Sequence, residues 1–297
     1  MRKITLLNLF AVLVIVLAAC APAATPTEAP PPEVEATEAP EAPEAPEAPA
    51  VSENQAPMLA AMVEAGELPP LDERLPKDVL TVPVVVSIGQ YGGTWHHLDD
   101  GADLGKMKMT LYEPHIRWKA DYTGYEPGLV KSWDFEDDGN TLILHFREGV
   151  KWSDGDDFNM DDLKFWWNDL ASNEDYKVVQ IPWWGFKTTG DPIDVEFPDD
   201  YTMIFKWDSP HWVTPFTLAQ GFWEGMDHFK PSHHLEQFHP TYNSDASYDD
   251  LELADKYWET PGYPCLFAWC CSDVTPGERV FFERNPYYWK VDPEGNQ

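Results

Sequence analysis

Short stretches of alternating hydrophobic and polar residues recur in the middle of the chain, and they predict β-hairpins. One such stretch surrounds the turn sequence Asp137-Asp138-Gly139-Asn140, and another surrounds Pro198-Asp199-Asp200. The alternating apolar residues are Trp133, Phe135, Leu142, Leu144 and Phe146 in the first stretch and Val195, Phe197, Met203, Phe205 and Trp207 in the second. Each stretch therefore predicts two antiparallel strands joined by a tight turn.

Helical spacing of apolar residues occurs twice. Asn159 is a good N-cap for a helix whose apolar stripe is Leu163, Trp166, Trp167 and Leu170. Met58, Leu59, Met62 and Val63 lie on one face of an earlier helix, which Gly66 is placed to end. Because strands and helices alternate along the chain, the class is α/β or α+β.

An uninterrupted apolar run, Val82 to Ile88, predicts a buried strand that leads directly into the loop Tyr91-Gly92-Gly93-Thr94-Trp95. Paired glycines after a strand allow a sharp turn and a close approach to a ligand. The loop lacks the glycine spacing of a nucleotide-binding motif, so no nucleotide cofactor is expected.

The first 57 residues have a different pattern. Two basic residues and an apolar run up to Leu17 predict an export signal over 1–19, because the run is shorter than the roughly 20 residues that span a bilayer. The sequence Leu17-Ala18-Ala19-Cys20 resembles a bacterial lipobox, which implies lipidation of Cys20; a secreted protein without lipid is the alternative. The segment 20–57 contains Glu-Ala-Pro repeats and no lysine or arginine, and it predicts an extended linker before a domain over 58–297.

Charge excludes several classes of function. The chain has 52 acidic and 20 basic residues and a formal net charge of −32. Nucleic acids and anionic membrane surfaces both require clustered lysine and arginine, so neither is an expected partner. Aromatic residues make up 14% of the chain, which is too many for an acidic disordered protein.

Several sequence blocks together resemble the extracytoplasmic solute-binding proteins of the peptide/nickel (family 5) type, over about residues 80–297. The blocks are Leu111-Tyr112-Glu113-Pro114, Tyr125 to Trp133, Phe146 to Gly155 with Phe158, Asp161 and Asp162, Pro231 to Glu236, Phe238-His239-Pro240 and Arg284 to Lys290. The resemblance implies an α/β, periplasmic-binding-protein type II-like two-lobe fold, with a mixed sheet, helices and a hairpin subdomain in the first lobe. Family members are longer, and the block after Asn285 normally lies near their middle. We therefore expect only the first lobe, and half of a binding site, in this chain.

Aromatic residues in glycine- and proline-rich loops are the candidate ligand contacts. Exposed rings provide flat surfaces for sugars or apolar side chains, and they also attract cations. The alternative for each ring is that it covers the core. The predicted ligand-binding residues are Tyr91, Gly92, Gly93, Trp95, His96, Trp183, Trp184 and Trp223.

Other constellations do not predict a catalytic or metal site. The acidic residues after Asp154 lack the calcium-loop spacing, because Phe158 and Asn159 occupy the fifth and sixth positions. The doublets His96-His97 and His233-His234 point their side chains in different directions, and no zinc-ligand spacing occurs. Cys265 can form a local disulfide with Cys270 or Cys271, and the pattern leaves that choice open.

The expected function is that of a lipid-anchored substrate-binding subunit of an ABC importer, outside the cytoplasm. Its partners would be permease and ATPase subunits and a small solute, either an oligopeptide or an oligosaccharide, and no cofactor is expected. Rival hypotheses are a secreted glycan-acting hydrolase and an adhesin or sensor without a transport role. A glycan hydrolase needs a pair of carboxylates, but the 52 acidic residues allow too many pairs for the sequence to single one out, so no catalytic residue is predicted.

Overall fold

The computed structural model describes residues 52–98, 111, 113–220 and 227–297. Strands are short in these ranges, mostly three to seven residues. They are β1 Leu80–Thr81, β2 Ile116–Trp118, β3 Tyr125–Pro127, β4 Val130–Glu136, β5 Thr141–Phe146, β6 Asp194–Asp199, β7 Thr202–Lys206, β8 Trp269–Thr275, β9 Arg279–Arg284 and β10 Lys290–Val291. Within the described part of the chain, every strand pairing is antiparallel except that of β1 with β10.

Helices are equally short and lie between the strands. They are α1 Pro57–Glu64, α2 Leu71–Arg74, α3 Met160–Lys164, α4 Thr214–Leu218, α5 Ser232–Leu235 and α6 Tyr248–Ala254. A π-helical segment, Phe165–Ala171, continues α3 without a break. No helix within the described ranges has the length and apolar content needed to cross a bilayer.

The two predicted hairpins are confirmed and form one sheet, in the order β4-β5-β7-β6. In the first hairpin Trp133 pairs with Leu144 and Phe135 pairs with Leu142, so the alternating residues share a face. In the second hairpin the turn lies at Asp200-Tyr201, because Pro198 and Asp199 extend β6. The turn therefore begins two residues later than predicted.

Two hydrophobic clusters of described residues hold the elements together. The first lies on one face of the four-stranded sheet, and its members include Leu163 and Trp166 from the helical segment and Leu142, Leu144 and Phe205 from the sheet. The second contains residues of the π-helical segment, of α5 and α6, and of the chain before β8; its members include Phe165, Leu170, Leu235, Leu251, Tyr263 and Phe267. Val179 packs against both clusters, so they are neighbours.

The predicted strand over Val82–Ile88 is wrong. Only β1 pairs with β10, and the Val82 amide donates one further hydrogen bond to the Val291 carbonyl. Beyond that point Val85 and Val86 are each 92% exposed. An apolar run becomes a strand only where another strand offers backbone partners, and β10 offers two residues.

The predicted N-terminal helix is confirmed as α1. Leu59 and Val63 are its buried residues, whereas Met58 is about half exposed. Gly66 follows the helix with a left-handed φ of 72°, as its role at the helix end requires. The signal segment 1–19, Cys20 and the linker to residue 51 lie outside the described residues.

Candidate functional site

A cavity of about 480 Å³ lies beside the junction of the two hydrophobic clusters. Its lining combines apolar, aromatic and charged side chains: Trp166, Val178, Val179, Gln180, Ile181, Pro182, Asp227, His228, Lys230, Glu252, Asp255, Lys256 and Trp258. Concave sites with apolar walls and a few polar groups are the usual form of a small-molecule site. This cavity is therefore our candidate site.

The aromatic wall of the cavity is held by the capped helix. The Asn159 side chain accepts a hydrogen bond from the Asp161 amide and so starts α3, which runs into the π-helical segment that carries Trp166. The Trp166 ring is 1% exposed and stacks on the His228 ring, with centroids 4.0 Å apart. Its position is thus fixed before any ligand arrives.

Two of the charged residues in the lining neutralise each other. The Lys230 ammonium donates to both carboxylate oxygens of Asp255, at 2.8 and 2.7 Å, and both side chains are about 5% exposed. The Tyr263 hydroxyl donates a third hydrogen bond to Asp255, at 3.1 Å. Burial raises the pKa of Asp255 above its ordinary value, and the lysine and the tyrosine oppose that shift. This pair is a fixed feature of the wall.

His228 is a neutral member of the lining. Burial lowers the pKa of His228 well below its ordinary value, with smaller contributions from His115 and Lys230. His115 lies against it, with ring centroids 5.0 Å apart, and burial lowers the pKa of His115 to about 3. Both imidazoles are therefore uncharged near neutral pH.

A second cavity, of about 520 Å³, is lined by residues of α3, of the π-helical segment and of α5, and it is mostly polar. Several of its acidic residues already have partners: Asp161 contacts Lys164, Asp157 contacts Lys151, and Asp162 accepts hydrogen bonds from Trp152 and Ser232. Its carboxylates mainly cap and brace the local structure, so this cavity offers few groups that are available to a ligand.

The loop of Tyr91 to His96 does not contribute to the cavity lining. Gly92 and Gly93 have φ values of 106° and 80°, so both adopt the left-handed backbone that the paired glycines predict. Trp95 is 74% exposed. Its role as a ligand contact stays a prediction.

Tyr91 joins this loop to the β8–β9 hairpin. The Arg284 guanidinium lies over the Tyr91 ring, 5.6 Å from its centroid, and over the Trp269 ring at 4.9 Å. The Tyr91 hydroxyl also donates to the Gln297 carbonyl, at 3.2 Å. The loop is thus anchored at its start, while its tip faces solvent.

The neighbours Trp183 and Trp184 have opposite environments. Trp184 is fully buried and packs against Phe205 and Trp207, so the expectation that its ring faces a ligand does not fit its position. Trp183 is 57% exposed and directly follows Pro182 of the cavity wall. Trp223, like Cys20, lies outside the described residues.

Cys265 and Cys270 form the disulfide, and Cys271 is a buried free thiol. Burial raises the pKa of Cys271 to about 11, so the thiolate is scarce at neutral pH. His233 contacts Asp154 at 2.9 Å. In the described ranges, no group of three or more histidine, cysteine or acidic side chains is placed to hold a metal ion.

Sequence reasoning missed most of the cavity. His228, Lys230, Asp255 and Trp258 were not among the predicted contacts, because they lie far along the chain from Trp166 and form no motif with it. Only the apolar helical stripe that includes Trp166 gave a signal, and that signal indicated a core position.

The chain belongs to the bacterial extracellular solute-binding proteins, family 5, whose middle-region profile matches residues 124–296. It is 33% identical over 259 residues to the periplasmic alpha-galactoside-binding protein of Rhizobium meliloti, a match that covers 79% of this chain and 36% of that protein. It is 31% identical over 133 residues to the dipeptide-binding protein of Escherichia coli, covering 41% of this chain and 25% of that protein.

Solved structures agree with the predicted fold class. An oligopeptide-binding protein OppA superposes with a TM-score of 0.73 at 33% identity, over 82% of this chain and 39% of that one. The periplasmic binding protein MelB of Agrobacterium fabrum C58, in complex with stachyose, gives a TM-score of 0.68 at 29% identity, over 84% and 39%. The chain thus spans under two fifths of these relatives' length, as expected for the first-lobe part of the two-lobe fold.

Proposed function

We propose that this chain is the first-lobe part of a substrate-binding subunit of an ABC importer, and that it captures a small solute outside the cytoplasm. Family membership supports the class of function, and the cavity of about 480 Å³ supports a place for the solute. Capture would proceed by closure of a second lobe over this one, followed by delivery to permease and ATPase subunits.

The composition of the cavity is the observation that carries this proposal. The partly exposed Trp258 ring and the apolar wall provide contact area, and the paired Lys230 and Asp255 leave no uncompensated buried charge between them. These groups bind and orient a ligand. We infer that the protein binds without making or breaking a covalent bond.

Oligopeptides and oligosaccharides are the two proposed solute classes. The relatives include proteins named for dipeptides and for alpha-galactosides, and the second of these matches over the larger share of this chain. Aromatic walls suit sugar rings and apolar peptide side chains alike.

A thermal-shift titration of the full chain with an oligopeptide mixture and with stachyose tests the proposal. A bound ligand should stabilise the folded chain by about 2.7 kcal/mol at a concentration 100 times its dissociation constant. Replacing Trp258 with alanine should weaken that response, because it removes a ring from the cavity wall. Leu253→Ala is the matched control, since this exposed residue of α6 does not line the cavity.

Failure of both ligand classes to stabilise the chain would contradict the proposal. An equal loss of response in the Leu253→Ala variant would show that the Trp258 effect is indirect. Chromatography of the incubated stachyose addresses the rival hydrolase hypothesis, because release of smaller sugars would identify an enzyme.

We also propose that Cys20 anchors the protein to the membrane through lipid. Two or more acyl chains give stable attachment, whereas one chain gives only marginal binding. The wild-type chain should then fractionate with membranes, and Cys20→Ala should be released. Mass spectrometry showing an unmodified Cys20 would contradict the anchor without affecting the binding proposal.

A further inference from the structure

Trp212 is an exposed tryptophan whose ring rests on a glycine. Its side chain is 60% exposed, yet a Cβ placed on Gly139 would lie only 2.5 Å from Cε2 of the ring. The Phe135 ring packs beside it, with centroids 4.8 Å apart and planes inclined by 50°. One side of the indole is therefore packed on the protein, while much of the ring faces solvent.

The turn beneath the ring has an unusual backbone. Asp137, Asp138 and Gly139 have φ values of 51°, 55° and 93°, so three successive residues between β4 and β5 are left-handed. The His211 amide donates to the Gly139 carbonyl at 2.9 Å, and the Trp207 amide donates to the Asn140 carbonyl at 2.8 Å. These two hydrogen bonds hold the segment before Trp212 along the turn.

A ring fixed in this way is prepared for stacking. Ordering a mobile side chain opposes association, and a side chain that is already held loses less freedom when a ligand binds. Tyrosine and tryptophan serve in binding surfaces for this reason, because they combine a large contact area with few rotatable bonds.

We propose that Trp212 is a stacking surface for one pyranose ring of a neutral oligosaccharide, at a site distinct from the cavity. The C–H face of a pyranose is apolar and carries a slight positive charge, and it complements the negative face of an indole. The exposed carboxylates of Asp137 and Asp138 belong to the same turn and can accept hydrogen bonds from sugar hydroxyls. Neither Trp212 nor the turn lines the cavity.

An organic cation is the competing ligand class, because acidic residues and an indole face also attract ammonium groups. Ammonium recognition works best when several rings surround the cation. Phe135 and Trp212 instead contact each other, which leaves an open surface rather than a cage. The geometry thus favours a flat ligand.

Fluorine NMR of the full chain labelled with 5-fluorotryptophan tests the proposal at the residue itself. The Trp212 signal is assigned by its loss in Trp212→Phe, and the protein is titrated with maltotetraose, cellotetraose and tetramethylammonium. We expect at least one of the tetrasaccharides to shift the Trp212 signal saturably, with a dissociation constant on the order of 1 mM. Tetramethylammonium should leave the signal in place.

Two variants examine the role of the ring position. In Gly139→Ala the added methyl group displaces the Trp212 indole from its packed position, and sugar binding should weaken at least about fivefold. Trp212→Ala should reduce saturation transfer to the sugar by a similar factor, whereas Phe281→Ala, which removes an exposed ring on β9, should not. A Trp212 signal that neither sugar moves, or that only the cation moves, would overturn the proposal, as would unchanged binding in Trp212→Ala.

Discussion

Buried charges in this chain are tolerated where a neighbouring side chain compensates them. Glu113 and Lys290 are 3% and 6% exposed, and they form an ion pair. The Tyr288 hydroxyl donates a hydrogen bond to the same carboxylate. Burial lowers the pKa of Lys290, and the attraction of Glu113 opposes that shift. Because the pair connects β10 to the chain before β2, it fixes two distant segments.

Removal of one partner of this pair should be strongly destabilising. In Lys290→Met the Glu113 carboxylate stays buried without its cation, and we expect a loss of about 3–5 kcal/mol in the free energy of unfolding. Urea unfolding followed by circular dichroism measures the loss. The double variant Glu113→Gln, Lys290→Met is the control and should recover part of it; equal stability of both variants would refute the charge argument.

The buried histidines give stability a defined pH dependence. His115 has a folded pKa of about 3 against an ordinary 6.5, so the unfolded chain binds the proton more tightly. The stabilisation is complete above pH 6.5 and declines as the pH falls below it, by about 1.4 kcal/mol per pH unit for each such histidine. The pKa of His228 is also lowered by burial, so His228 likewise makes the folded chain less stable as the pH falls.

Replacement of His115 by phenylalanine tests this dependence. The variant should lose stability less steeply than the wild type between about pH 6 and pH 4.5, by about 1.4 kcal/mol per pH unit. Urea midpoints at several pH values provide the comparison. The carboxylates titrate in the same way in both proteins, so they do not affect the difference between the two stability curves. If the free energy of unfolding depends on pH equally in wild type and variant, His115 is not kept neutral by folding.

At the scale of elements, the capping box of α3 combines two functions. Asn159 satisfies the first free amides of the helix, and Asp162 accepts from the Asn159 amide at 3.2 Å. Asp162 also accepts from the Trp152 indole at 3.1 Å and from Ser232 at 2.9 Å. Asp162 therefore connects three segments, whereas Asn159 only begins the helix.

Substitutions at these two positions should differ in cost. Asn159→Ala should destabilise the chain by about 1 kcal/mol, as the loss of a cap does, and Asn159→Asp should be nearly neutral. Asp162→Ala should cost more, because it leaves the buried Trp152 and Ser232 donors without their acceptor. Denaturant unfolding of the three variants checks the order; an Asn159→Ala cost equal to that of Asp162→Ala would contradict it.

Helices and strands were predictable from the sequence where the residues that stabilise them are close together in the chain. Both hairpins and the α3 stripe follow from alternation, turn residues and a cap, all within about 20 residues of sequence. The apolar run at Val82–Ile88 has the composition of a buried strand as well, but its pairing depends on a distant segment, and β10 supplies only two residues. Composition cannot reveal the length of a partner strand.

At the scale of the whole molecule, the acidic excess dominates the electrostatics. The formal net charge is −32, and the linker contributes only eight of the 52 acidic residues. Like charges on one folded surface repel, and this repulsion opposes compaction. Added salt screens it over distances beyond about 8–10 Å.

The melting temperature should therefore rise by several degrees between low salt and about 0.5 M sodium chloride at neutral pH. The same salt step near pH 4 is the control, because a large share of the exposed carboxylates is then protonated and less repulsion remains to be screened. Differential scanning fluorimetry measures both. A melting temperature that falls with salt at neutral pH would show that attractive ion pairs outweigh the repulsion.

The sequence by itself determined the two hairpins and the capped helix, because each depends on residues close together in the chain. It also determined the family, because that resemblance rests on several blocks of sequence whose recognition does not require knowing how they pack. Tertiary structure decided which aromatic residues are available to a ligand: it buries Trp184 and exposes Trp183, although both occupy the same loop. It also selected Cys270 as the partner of Cys265, and it brought Trp166, His228 and Asp255 to one cavity. These outcomes depend on how distant segments of the chain pack against each other, and the spacing of residues along the sequence does not determine that packing.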